Sequence, residues 1–407
     1  MAGFKPSLAH RLWRLLPAQG RRRAFAVLTA RAAPKPSPVI VDPAPGLAVA
    51  GELSRASGLG EGARLMLRGL ERLGVASWPV DVGPPVDRST AQVPFNSGPM
   101  APPGVGLVLH VNPPMLPLAM MRLGARAVRG RKVVGYWAWE LPVTPPEWRV
   151  GVDFVHEVWV PSRFTAEAVE PLLPGRVRIV RPPLAIVPPT PAPMGREALG
   201  LPTDAVVVLT TFNLASSFVR KNPIAAVHAF RQAFGSRMDR LLVLKVTNSD
   251  HFASDFAQLR AAVGEAPNIR IETRLMPAAE LAALTVAADI VLSLHRSEGL
   301  GLVLAEAMLL GRPIVCTGWS GNLDFMDPTC AALIPCRLVV PQDPRGVLDT
   351  EDAVWADPEV EAAAAQLRRL ADDRAERERM GEAALRMARA RFGPDTFLEA
   401  LRGIGAV

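Results

Sequence analysis

Apolar positions along this chain follow two alternating rhythms. Short runs rich in β-branched residues, Leu47–Ala50, Val105–Val111, Lys132–Tyr136, Glu157–Val160 and Val177–Val180, read as strands. Between several of them lie helical patterns, such as Gly60–Leu73, which carries Leu65, Leu67, Leu70 and Leu73, and Thr165–Leu173. Strand and helix alternating at this spacing predict βαβ units and a mostly parallel sheet. Residues 181–193 (RPPLAIVPPTPAP) break the rhythm, because six prolines in thirteen residues fit neither a helix nor an inner strand. The alternation then restarts with strands at Ala205–Thr210, Leu241–Val246, Ile269–Ile271, Ile290–Leu294 and Pro313–Cys316. Helices are predicted at Pro223–Phe234, Pro277–Ala288 and Leu302–Leu310, and a helical region throughout Asp357–Arg391. No short internal repeat is present.

The pattern predicts an α/β protein of two Rossmann-like domains facing a central cleft, joined by the proline-rich segment. A basic segment, residues 1–38, precedes an N-terminal domain, 39–185. A C-terminal domain, 186–407, ends in helices, the last of them expected to pack back on the N-terminal domain. A length of 407 residues suits two such domains, each able to bury a core. Apolar runs are strand-sized, so no membrane span is predicted. No leader with a cleavage site is apparent. Cys316, Cys330 and Cys336 fit neither a metal spacing nor an even disulfide set, which suggests a reducing cytoplasm.

The net charge of +7 changes meaning once it is located. Residues 1–38 hold Lys5, Arg11, Arg14, Arg21, Arg22, Arg23, Arg31 and Lys35 with no acid, which leaves 38 basic against 39 acidic residues in the rest. A neutral body argues against nucleic acid as partner, since such enzymes spread basic groups over a groove with aromatics between them. Within the head, Ser7 can cap a short helix carrying Leu8, Leu12, Leu15 and Leu16 on one side, ended by Pro17 and Gly20. An acid-free, arginine-rich amphipathic segment over residues 1–31 suits an anionic membrane surface and a peripheral location on the inner face of the membrane. The alternatives are packing on the first domain, or a leader.

Ligands of doubly wound sheets sit beyond the carboxyl ends of the strands. The segment 212–223 (FNLASSFVRKNP) follows the first strand of the second domain. Asn222 reads as an N-cap and Pro223 as the first helical residue, so Arg220 and Lys221 stand beside a helix N-terminus, an arrangement suited to an anion. The segment 297–306 (SEGLGLVLAE) follows the strand Ile290–Leu294. Gly299 and Gly301, on either side of Leu300, allow close approach of a ligand to the backbone. Glu298 in the loop and Glu306 in the helix can reach one ligand, and a carboxylate can accept bonds from two neighbouring sugar hydroxyls. The apolar neighbours of Glu306 (Leu304, Ala305, Ala307, Met308) argue against a solvated face. His295 and Arg296 share this loop. On the first domain, His110 and Asn112 end one strand and Glu140 another, which makes them acceptor-side candidates. Glu140 also reads as a buried acid held by backbone donors, and Trp137 and Trp139 as packing residues. His10, His156, His228 and His251 have no evident partner.

Glu298 and Glu306 with seven residues between them, followed by Ala307-Met308, residues 311–315 (GRPIV) and 318–324 (GWSGNLD), resemble the E-x7-E signature of retaining GT-B glycosyltransferases, glycosyltransferase family 4 above all. The resemblance covers most of residues 46–335 and takes in Arg220–Pro223, residues 137–142 (WAWELP) and residues 157–162 (EVWVPS). It implies that Glu306 holds the ribose hydroxyls of a nucleotide sugar, Glu298 contacts the donor sugar, and Lys221 and Arg220 bind the pyrophosphate. Many members carry an Arg about five positions before the Lys; Ser216 and Ser217 stand there in this chain. The glycine-rich loop, with Gly58 and Gly60, would approach the donor.

The resemblance implies transfer of a hexose, with a lean to GDP-mannose, onto a saccharide or lipid-linked hydroxyl in surface polysaccharide or glycolipid synthesis. No Asp-x-Asp stands at a strand end, so no metal or other cofactor is expected. Residues 57–63 (SGLGEGA) contain G-x-G-x-x-A with Asp81 further on, nearly a dinucleotide fingerprint, and an NAD(P)-dependent oxidoreductase is the main rival. The glycines stand too far from the preceding strand for that turn. A non-catalytic nucleotide-sugar binding module and a GT-B phosphorylase or epimerase are the other rivals.

Overall fold

The computed structural model describes residues 18–83 and 92–407. The first domain opens with α1 (Ala18–Ala32), β1 (Ala44–Gly51), α2 (Gly58–Arg72), β2 (Ser77–Asp81) and β3 (Val105–His110). It continues through α3 (Leu116–Leu123), α4 (Ala125–Val128), β4 (Val133–Tyr136), β5 (Glu157–Val160), α5 (Arg163–Val169) and β6 (Val177–Ile179). The six strands form one parallel sheet in the order β2-β1-β3-β4-β5-β6. The strand β2 is absent from the hydrophobic pattern because Pro79 interrupts it. Proline is tolerated there because β2 is an edge strand paired only with β1.

The second domain comprises β7 (Val206–Asn213), α6 (Phe218–Lys221), α7 (Pro223–Phe234), β8 (Arg240–Thr247), α8 (Ala253–Val263), β9 (Ile269–Glu272), α9 (Ala278–Ala287), β10 (Ile290–Ser293), α10 (Leu302–Leu309), β11 (Ile314–Thr317) and β12 (Ala332–Ile334). Its sheet is also parallel and six-stranded, ordered β12-β11-β10-β7-β8-β9. An antiparallel hairpin follows, β13 (Cys336–Val339) with β14 (Trp355–Pro358), then α11 (Val360–Asp372), α12 (Arg374–Arg391) and α13 (Asp395–Gly403). The chain is α/β, with two Rossmann-like domains.

Two expectations about elements need correction. Residues 357–391 are not continuously helical: their first two close β14, and Asp373 breaks the rest, its side chain accepting from the Glu376 N–H at 2.9 Å to cap a new helix. Gly20 does not end a helix but lies inside α1. The predicted head helix, with Leu8–Leu16, lies outside the described residues.

Apolar burial on both faces of each sheet makes the cores. In the second domain Leu242, Leu244 and Ile290 pack under Ala226 and Phe230 of α7 and Leu367 of α11, while Val207, Leu209 and Val243 face Leu284 of α9. In the first domain Leu47, Val49 and Val108 pack against Phe397, Leu401 and Ile404, so the last helix closes the first domain. Leu348 and Ala353 from the β13–β14 connection and Trp355 of β14 join the first domain's other core. Between the domains, Leu65 of α2 packs with Leu184, Leu300 and Leu304.

Candidate functional site

The carboxyl end of β7 runs through a 3₁₀ turn (Leu214–Ser216) into the short α6, then over Asn222 into α7. Ser217 and Asn222 both have positive φ, 71° and 51°, the latter in the left-handed region. Asn222 does not cap α7: its side-chain amide donates instead to the Leu294 carbonyl at 2.9 Å, tying this turn to the end of β10. That bond sets Arg220 and Lys221 against the loop after β10.

Arg220 is 3% exposed, and its guanidinium donates to the carbonyls of Ser297 (2.7 Å) and Ser216 (2.9 Å). It also lies 3.4 Å from a carboxylate oxygen of Glu298 and 3.4 Å from one of Glu140. Arg220 therefore braces the site from within, while Lys221 pairs directly with Glu298. Burial alone would raise the Glu298 carboxyl, but Lys221 and Arg220, helped by His295, outweigh it and hold it at about 2. Burial lowers the Lys221 ammonium, and Glu298 opposes that shift.

The loop carrying Glu298 is seated on both domains. Its N–H donates to the Ser320 hydroxyl at 2.9 Å, and its carbonyl accepts from Gly321 N–H at 2.9 Å. Gly299 fits where no side chain can, since an added Cβ would stand 2.6 Å from the Trp139 carbonyl oxygen of the first domain. The Gly299 carbonyl accepts from the hydroxyls of Ser162 and Thr165, and the Ser297 hydroxyl donates to the Glu140 carbonyl. Gly301 has φ of 96° and opens α10. The Leu300 side chain is buried against Leu65, so only its backbone is left for a ligand.

Glu306, half-buried on α10, stands opposite α2. Burial pushes its carboxyl up to about 7; Glu61 adds to the rise and Arg68 opposes it. Glu61 itself pairs with Arg64 at 2.8 Å and Arg68 at 2.7 Å. Two carboxyls of one motif thus sit at opposite ends of the titration range, one near 2 and one near 7.

Three residues expected at the cleft are placed elsewhere by their contacts. His295 is 0% exposed; Ser293 and Asn322 hold its ring nitrogens at 3.0 and 3.2 Å, and burial lowers it, so it supports the Glu298 loop from behind. His110 is 1% exposed, stacked on Tyr136 at 4.3 Å, and burial takes it to about 3. Gly60 serves packing: a Cβ there would meet the Glu52 carbonyl at 2.5 Å. Gly58, the first residue of α2, has open space around it, and Ser57 caps the helix by accepting from Gly60 N–H at 3.1 Å. Asn112 exchanges two bonds with the Ala138 backbone, at 2.8 and 3.0 Å, which fixes the loop leading to Glu140. Among the described residues, no three His, Cys, Asp or Glu side chains gather to hold a metal ion. No described helix is long and apolar enough to cross a membrane.

The family model "Family 4 Glycosyltransferase in conflict systems" matches residues 168–398, more than half of the chain, and includes Arg220, Lys221, Glu298 and Glu306. The chain belongs to this glycosyltransferase family. Solved structures agree on the fold. A glycosyltransferase from Rickettsia africae superposes with a TM-score of 0.61 at 13% identity, over 89% of this chain and 98% of that one. Anabaena HepE, solved with UDP and glucose, gives 0.60 at 13% identity over 89% and 100%. Sucrose-phosphate synthase from Thermosynechococcus elongatus gives 0.62 at 15% identity over 88% and 98%. No curated protein matches the sequence significantly.

The fold is GT-B, and the glycosyltransferase's oxidoreductase rival falls with it: α2 starts at Gly58, a full loop after β1 ends at Gly51. The two halves of the enzyme are clasped by contacts that residue-type reasoning had no means to single out. Asp324 accepts from Arg163 N–H at 2.6 Å and pairs with Arg181 at 3.4 Å, Asn213 donates to the Ala56 carbonyl at 3.2 Å, and Phe164 meets Trp319 edge-on at 5.2 Å. Ser162 and Thr165 stand beside them. Ser162 stands in the proline-serine step that ends residues 157–162, whose role only the opposing Gly299 carbonyl reveals; Thr165 lies beyond that step.

Proposed function

We propose that this glycosyltransferase moves a hexose from a nucleotide diphosphate sugar to a hydroxyl acceptor with retention of anomeric configuration, and needs no metal. The observation that carries the reading is the pairing of Lys221 with Glu298, in the loop that leads into the helix carrying Glu306, within a matched family 4 sequence. Glu306 accepts from the ribose hydroxyls. The Lys221 ammonium and the free N–H groups at the start of α7 receive the diphosphate, whose charge grows as the anomeric bond breaks. Glu298 meets the sugar while keeping Lys221 in place. The bond from the anomeric carbon to the diphosphate oxygen breaks, and the acceptor oxygen bonds to the same carbon on the same face. The acceptor's proton passes to the departing phosphate oxygen. Closure of the domains about residues 181–193 excludes water from the donor.

The UDP in the HepE structure supports a uridine diphosphate sugar over the GDP-mannose suggested by resemblance. A saccharide or lipid-linked alcohol in surface polysaccharide or glycolipid synthesis is the acceptor class we carry forward. The test is a thermal-shift and turnover panel of UDP-glucose, UDP-N-acetylglucosamine and GDP-mannose, with and without acceptors. Stabilisation by none of them, or by NAD(P)H alone, refutes the reading. Binding without hydrolysis or transfer would make the protein a binding module instead.

A further inference from the structure

The helix α1 is built inside out. Its small residues face inward: Ala26 and Ala33, just past its end, are buried, and Ala30 and Ala33 pack on the first domain's core. Its large apolar residues face outward, with Phe25, Val27 and Leu28 all exposed, Leu28 at 58%. A helix held only by its own domain turns its large side chains to the core; the reverse leaves an apolar stripe that something else covers.

The neighbouring elements continue this face. The helix α1 packs against α3, which carries exposed Met121 and runs into α4. The stretch after α1 lies beside α4's end, Val41 N–H donating to the Gly130 carbonyl at 2.9 Å. Exposed Arg31, Arg126 and Arg129 are set among these apolar groups and form no ion pair among the described residues. Residues 1–41 and 88–139 contain no Asp or Glu. Of the nearest acids, Asp42 follows Val41 directly and is exposed, Asp153 is taken by Lys35 at 2.7 Å, and Glu147 lies in the 3₁₀ segment that α1 also touches.

We propose that this face docks on an anionic lipid bilayer, with α1 in the boundary between headgroups and acyl chains and Arg126 of α4 and Arg129 just past it on the phosphates. Two observations select that occupant. Aliphatic side chains interspersed with unpaired arginines match an interface that is apolar inside and anionic outside. A second copy of the chain would bring the same positive face against itself. The docked face also adjoins the cleft, because residues 113–115 join α3 directly to the carboxyl end of β3. An acceptor held in the bilayer would then arrive on the first domain's side.

The test is flotation of the full chain with vesicles of phosphatidylcholine alone and of phosphatidylcholine with phosphatidylglycerol, at low and high salt. The wild type is expected to float only with the anionic vesicles and to be released by salt. Replacing Arg126→Gln together with Arg129→Gln should lower partitioning about 25-fold, about fivefold per arginine. Leu28→Asp should abolish it, with an unchanged melting temperature because these side chains are exposed. Absence of flotation at low salt overturns the proposal, as does equal flotation by all variants, which would trace binding to residues 1–17. A dimer dissolved by Leu28→Asp without vesicle binding, or tighter binding to a DNA duplex than to vesicles, overturns it as well.

Discussion

Donor affinity should rise with pH through neutrality, and Glu306 alone should carry the effect. Its carboxyl stands at about 7 because burial and the nearby Glu61 both disfavour its charge. As an anion it accepts from two ribose hydroxyls; protonated, it loses part of that capacity. About a tenth of the carboxyl is ionised at pH 6 and about nine-tenths at pH 8, so the donor's Kd should fall over that range by at most about tenfold, about 1.4 kcal/mol, the limit in which the protonated form does not bind. Glu298 is held at about 2, His110 at about 3, and burial lowers His295, so none of these adds a rise here; Lys221, which burial also lowers, would weaken donor binding as it loses its proton and so acts in the opposite direction. Calorimetry with the intact nucleotide sugar is the right assay, because its diphosphate carries no group titrating near 7. Glu306→Gln should flatten the profile at the weaker level. A flat profile in the wild type, or the same slope in the Gln variant, would refute the assignment of Glu306 to the ribose.

Other outcomes follow from the same geometry. Lys221→Ala should weaken donor binding by about 1.5–3 kcal/mol, the worth of a charge-assisted bond, while the chain stays folded by circular dichroism. Turnover should persist in chelator, and NMR of the product should show the donor's anomeric configuration; inversion would exclude the same-face step. Because Glu298 is held well below the ordinary carboxylate value, its contribution to stability should be complete above about 4.5 and be lost as pH falls toward 2, a shift in acid melting that Glu298→Gln removes. Gly299→Ala should drive the loop off the Trp139 carbonyl, lowering kcat and widening the small-angle scattering envelope; unchanged values would mean that the clasp does not position Glu298.

Much of the architecture was written in local pattern. The alternation of strand and helix gave both sheets, and Pro223–Phe234 is a helix within the predicted bounds because Pro223 suits a first helical turn. What escaped was set by distant chain. Pro79 hid β2, since only its place at the sheet edge makes it acceptable. The E-x7-E spacing located Glu298 and Glu306, yet their divergent acidities arise from surroundings built by distant chain: burial, with Glu61 adding to it, raises Glu306, while Lys221 and Arg220 overcome burial at Glu298. His110 and His295 illustrate the opposite error. His110 ends β3 and His295 follows β10 in the loop before Glu298, but neighbouring side chains bury both, and a position at or just past a strand end does not report what lies above it.

The closing of the first domain by α13 sets an order on synthesis. A ribosome delivers β1 and β3 early, yet Leu47, Val49 and Val108 lack Phe397, Leu401 and Ile404 until the whole second domain has been made. One face of the first sheet, covered by Ala63, Met66 and Leu70 of α2 but not yet by α13, therefore waits partly exposed through translation of everything between Ile179 and Asp395. Nascent chains of this enzyme should be strong clients of chaperones over that interval, and the second domain should be the first to resist protease on the ribosome.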